Sequence, residues 1–84
     1  MSDVRDQIAD LVDFLASELA SDADAVEVRA SGEDDRHDLY EISVNQQDLG
    51  QLIGRQGRTA RAMRAVVKAA AAKHGRRAHV EILE

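Results

Sequence analysis

The 84-residue sequence predicts an α+β fold, a three-stranded sheet with its helices packed on one face. Three observations predict it. Apolar and polar residues alternate in three short runs, at 26–30, 40–45 and 78–83, as half-buried strands require. Apolar residues recur at helical spacing in two longer stretches, one before the first strand run and one before the last. A glycine-bracketed turn joins the second of these to a short helical segment before it. The resulting order is α-β-β-α-α-β.

Ser2 or Asp3 suits the cap of the first helix, and Asp3 and Asp6 favour its positive N-terminal end. Val4, Ile8, Leu11, Val12, Leu15 and Leu19 form its apolar stripe, with Asp6, Asp10, Asp13 and Ser17 on the wet side. "SDAD" ends the helix near Ser21. Val26, Val28 and Ala30 alternate with Glu27 and Arg29 as a first strand, and "SGEDDRH" reads as a hairpin loop. Tyr40, Ile42 and Val44 mark the second strand. Asp48 suits the N-cap of a short helix ending in Leu52 and Ile53. After Gly57 a longer helix runs to about His74, with Ala60, Met63, Val66, Val67 and Ala70 as its apolar face and Gly75 as its C-terminal cap. Ala78, Val80 and Ile82 form the third strand.

A chain this short buries roughly 60% of its unfolded surface, so stability is marginal and a second chain would help. Hydrophobic residues make up 44% of it, which argues for a folded globule. Phe14 and Tyr40 are the only aromatics, so the core is aliphatic. With no cysteine, disulfides and thiolate metal sites are excluded. No apolar run approaches the roughly 18 residues that would span a membrane. "MSDVRD" lacks the order of a signal peptide, so a cytoplasmic protein is expected.

The net charge of −5 hides a division. Residues 1–48 carry three basic and fourteen acidic side chains; residues 49–84 carry eight basic and two acidic. Between Leu49 and Val80 there is no carboxylate at all. Such asymmetry points to a polyanion-facing surface, against the plainer reading of solubility and internal charge balance.

Gly54 and Gly57 focus the question. One glycine would serve a tight turn; two at this spacing leave a loop with little bulk at either end, open to a phosphodiester. The loop feeds the N-terminus of the helix from Arg58, where free N–H donors favour an anion. Arg61, Arg64 and Lys68 share one face of that helix, and Arg55 and Arg58 extend the positive surface to the turn. A P-loop needs glycine at 52 and lysine at 58, where leucine and arginine stand. The dinucleotide fingerprint fails on glycine spacing. A helix-turn-helix also joins two helices by a glycine turn, but the flanking strands count against it.

"LIGRQG" followed by "RTARAMRAVV", between the second and third strands, resembles a KH domain of type II order, with Ile53-Gly54-Arg55-Gln56-Gly57 as its I-G-x-x-G element. Length, the N-terminal helix and "V-x-x-x-D-L-G-x-x-I-G-R-Q-G-R-T-A" make the chain similar to the small bacterial single-domain KH proteins of the KhpA family. The resemblance implies one KH domain over 1–84, with an N-terminal helix over 1–23 and a KH core over 24–84. It implies single-stranded RNA as partner, gripped by Gly54, Arg55, Gln56 and Gly57 with Ile53 anchoring the loop base. Arg58, Arg61, Arg64 and Lys68 would extend the grip. Leu49 and Leu52 are either groove wall or core. The family's small members act as RNA chaperones and pair with themselves or with a KhpB-like KH protein. Gln46-Gln47 departs from the proline and acid that many relatives carry there.

The alternative is a protein-interaction subunit in which the frame mainly dimerises. An enzyme is disfavoured. His37, His74 and His79 fall on a loop, a helix end and a strand with no metal-type spacing, and no cofactor is implied. Glu33, Asp34, Asp35 and Asp38 read as a solvated hairpin.

Overall fold

The computed structural model describes residues 3–84, so the Ser2 cap lies outside the described residues. Helix α1 spans Asp3–Leu19, followed by strands β1 (Glu27–Gly32) and β2 (His37–Ser43), helices α2 (Leu49–Ile53) and α3 (Arg58–Ala72), and strand β3 (Arg77–Ile82). Single 3-10 turns precede β1, α2 and α3. Among the described residues no helix is long and apolar enough to cross a membrane.

The sheet order is β1-β2-β3, with β1 antiparallel and β3 parallel to β2. The antiparallel pair needs only a hairpin, whereas the parallel pair needs a crossover, which α2 and α3 supply. Register aligns the inward side chains in three rows. Val28 pairs with Ile42 and Ile42 with Ile82; Ala30 pairs with Tyr40 and Tyr40 with Val80. The third row is Gly32, Asp38 and Ala78. Over the first two rows pack Ile8, Val12 and Ala16 of α1, Leu52 of α2, and Met63, Val67 and Ala71 of α3. The other sheet face carries exposed Glu27, Arg29, Ser31, His79 and Glu81, as alternation demands. The three-strand, three-helix α+β expectation therefore holds.

Gly75 ends α3 as expected. Its φ is +70°, the Arg76 N–H bonds to the Ala71 carbonyl at 3.1 Å and its own N–H bonds to that of Ala72 at 3.0 Å. Those are the two bonds of a Schellman cap.

Four expectations need correction. Asp38 does not lie in a solvated hairpin: it is 1% exposed and sits on the inward face of β2, in phase with Tyr40 and Ile42. The Arg76 guanidinium grips it through Nε at 2.6 Å and Nη2 at 2.9 Å, and Arg5 Nε donates to it at 3.0 Å. Gly32 makes room for this cluster, since a Cβ there would meet the Arg5 guanidinium. His37 opens β2 instead of lying in the loop, and its ring stacks on His79 across the parallel pair, with centroids 6.2 Å apart. The loop itself is closed by Asp34, which accepts the N–H groups of Arg36 and His37. Those bonds, with the His37 ring, hold the Asp34 carboxyl at about 2.

Asp48 stands at the N-cap position of α2 but makes no side-chain cap. Its buried carboxylate instead accepts the N–H groups of Ser21 at 3.0 Å and Asp22 at 3.1 Å, tying the segment after α1 to the start of α2. A charged acceptor with two backbone donors fixes that junction. Val66 belongs to no core face: it is 49% exposed, and Ala71 takes the buried position instead.

The pH dependence follows from the two buried carboxylates. Bonds from Arg76 and Arg5 lower the pKa of Asp38, and the Asp22 and Ser21 N–H groups lower that of Asp48, each from 3.8. A depressed folded pKa contributes stability that is complete above the unfolded value and is lost as pH falls through the folded one. Urea midpoints are therefore expected to stay level from neutral pH to about 5, then drop as pH falls through 3.8 and below.

Candidate nucleic-acid interface

The turn between α2 and α3 is built from backbone conformations that side chains resist. Gly54 has φ +77° and ψ 171°, a region essentially reserved for glycine. Gln56 (φ +58°, ψ 26°) and Gly57 (φ +75°, ψ 13°) are both left-handed. The loop closes on itself, the Gly57 N–H donating to the Gly54 carbonyl at 3.1 Å. Arg61 then reaches back one turn and donates from Nη1 to the Gln56 carbonyl at 3.1 Å. That contact holds a non-glycine residue in the left-handed region.

Thr59 backs the loop closely, filling the space where a Gly54 side chain would project. Arg55 and Gln56 are exposed at the tip, whereas Gly54 and Gly57 are half-buried. No side chain caps α3 at Gly57, so the positive end of the helix opens beside the tip. Ile53, the last residue of α2, is half-buried, and Leu52 is fully buried, which resolves it as core. Leu49 is half-buried.

The basic residues divide by direction. Arg58, Arg61, Arg64 and Lys68 are all exposed. Arg64 turns toward the sheet and donates from Nε to the Val80 carbonyl at 3.0 Å. It thus satisfies an acceptor on the open edge of β3, which a bare edge would leave for another strand. Lys68, one turn further, lines a cavity of about 540 Å³ with Ala72, Arg76, Arg77, Ala78 and His79. The side of α3 that faces β3 is consequently basic from Arg64 to the far end of the helix, and Arg61 links it to the loop. Sequence periodicity placed Arg61, Arg64 and Lys68 together; it gave no sign of Arg77 and His79, which reach the same flank only through the sheet.

The sequence that builds this interface matches one known family. The KH-domain profile of the KhpA/KhpB proteins matches residues 9–82. This chain belongs to that family. An RNA-binding protein KhpA of Halalkalibacterium halodurans is 47% identical over 75 residues, covering 88% of this chain and 96% of its own. That of Caldanaerobacter subterraneus is 42% identical over 78 residues, covering 90% of this chain and 100% of its own. The Borreliella burgdorferi protein of the same name is 39% identical over 75 residues, 89% of this chain and 90% of its own. No solved structure gives a significant match. The KhpA-like chain therefore shares its family over nearly all its length, and the strained loop lies inside the shared region.

Proposed function

We propose that this KhpA-like chain is a non-catalytic single-stranded RNA-binding protein that grips the RNA backbone with Gly54-Arg55-Gln56-Gly57. The observation that carries the reading is the loop itself. Three of its four residues have positive φ, Arg61 pins it, and its tip presents Arg55 and Gln56 beside an uncapped helix N-terminus. Phosphate oxygens can approach such a backbone closely, and KH loops clamp about four nucleotides this way. Arg58 beside the loop, and Arg61, Arg64 and Lys68 along the side of α3 toward β3, continue the attraction, and Ile53 anchors the loop base. The relatives named RNA-binding proteins support the ligand class. Action as an RNA chaperone in the cytoplasm, beside a like chain or a KhpB-like KH protein, is part of the same proposal.

Replacing Arg55 and Gln56 together by aspartate tests it. Aspartate tolerates the left-handed conformation at position 56, so circular dichroism should stay native. Binding to a fluorescent single-stranded RNA should be lost at about 150 mM salt; retained binding would sink the clamp. For the native chain, log affinity should fall with log salt by about 0.7 for each phosphate neutralised. A flat titration would remove the basic flank from the reading.

A further inference from the structure

We propose that the cavity at the far end of α3 binds a phosphomonoester, the terminal phosphate of the strand that the loop grips. The assignment to a strand end rests on the RNA reading of the loop; the anion site itself does not. The cavity, of about 540 Å³, has the size of a small-ligand site. Its walls are the last turns of α3, the Gly75 turn and the start of β3.

Charge selects the ligand. Lys68, Arg76, Arg77 and His79 converge on the cavity, and no carboxylate lines it. The chain has 16 acidic residues, yet neither Lys68 nor Arg77 pairs with one among the described residues. Arg76 gives two nitrogens to Asp38, which Arg5 also holds, so that cluster keeps one net positive charge. The remaining walls, Ala72, Gly75 and Ala78, are small and leave room for an anion. His79 is held from behind. Asp34 Oδ1 lies 2.8 Å from His37 Nδ1, and the His37 ring stacks on that of His79. A side chain ordered in advance loses less entropy on binding.

The same charges favour a monoester over a diester. A phosphodiester carries one negative charge, whereas a terminal phosphate carries about −1.5 to −2 and has three acceptor oxygens. Position agrees with charge. From Gly57 to Lys68, α3 advances about 16 Å. At roughly 3.4 Å per stacked nucleotide, the cavity lies about five phosphates from the loop. A strand following this side of α3 there meets the Gly75 connection, a corner that suits an end better than a passing chain.

Single-stranded RNAs of about six nucleotides test this, made with hydroxyl ends, a 5′ phosphate or a 3′ phosphate. One of the two phosphorylated forms should bind the native chain about tenfold tighter than the hydroxyl form. Arg77→Gln with His79→Gln should erase that gain and leave hydroxyl-ended RNA within about twofold of native binding. Both side chains are exposed, so circular dichroism should not change. Ala72→Glu, which sets a carboxylate on the exposed helical wall, should erase the gain as well. Inorganic phosphate titrated without RNA should shift the amide resonances of Ala78 and His79 in the native chain and not in the glutamine variant. That readout does not pass through the loop, so failure of the clamp and failure of the cavity are seen separately. No gain from either end phosphate, or a gain that persists in both variants, overturns the proposal. So does a nucleoside monophosphate that binds as tightly as the phosphorylated strand, which would give the cavity to free nucleotides.

Discussion

Gly54→Ala is expected to destabilise the domain by about 3 kcal/mol and to abolish RNA binding, although it adds one methyl group. Two effects combine. At φ +77° and ψ 171° the backbone occupies a region where any side chain costs on the order of 1–3 kcal/mol. The new Cβ would also meet the Thr59 hydroxyl, with Thr59 Cβ at 2.6 Å and the Thr59 backbone nitrogen at 2.8 Å. Rotating Thr59 can move the hydroxyl away. The backbone nitrogen belongs to the first turn of α3 and moves only with the helix. Small domains have roughly 5–15 kcal/mol in total, so the loss should be plain in a urea titration.

Gly57→Ala supplies the control. Position 57 is ordinary left-handed backbone, and its Cβ would meet only Arg61 Nη1, at 3.5 Å. Its expected cost is about 1–2 kcal/mol, the usual penalty for a non-glycine residue there. Equal effects at 54 and 57 would show that strain alone, and not the Thr59 backing, governs the loop.

How much of this was legible in the sequence depends on how local each cause is. The strands were readable because alternation is a property of neighbours, and the Gly75 cap because its bonds close within five residues. The loop was readable for the same reason: Gly54 and Gly57 bracket their own turn, and Arg61 reaches back only five residues to Gln56. What escaped depends on distant partners. The Asp48 carboxylate binds N–H groups 26 and 27 residues away, so a local rule assigned it to the nearer helix start. Val66 fits the α3 stripe within helical tolerance, yet the helix leaves it half in water. Asp38 is the instructive miss. Read as one acid among Glu33, Asp34 and Asp35, it belongs to a loop. Read in steps of two from Tyr40 and Ile42, it belongs to the inward face, and that signal was present in the sequence.

Asp38→Ala is expected to cost about 3 kcal/mol while leaving RNA binding intact. Removing one partner of a buried ion pair typically costs 3–5 kcal/mol, because the other charge stays desolvated. Here the charge released is that of Arg76, whose side chain is 19% exposed, while Arg5, at 32%, loses its Asp38 contact. Both keep some water, which sets the cost at the low end of that range. Gly32 and Ala78 flank Asp38 in its row of the sheet, so no large side chain can collapse into the gap. The effect also has a pH signature. The Arg76 and Arg5 bonds depress the Asp38 pKa below 3.8, so the native chain surrenders the same stabilisation as pH falls through the folded value. The gap between native and variant urea midpoints should therefore be constant near neutral pH and close in acid. Arg76, once released, borders the cavity that Lys68 lines and adds positive charge to that flank. Affinity for single-stranded RNA should hold or rise as stability drops. That is the opposite pairing to Gly54→Ala, where stability and binding fall together. A variant at 38 that loses both would place the cluster within the RNA grip instead of beneath it.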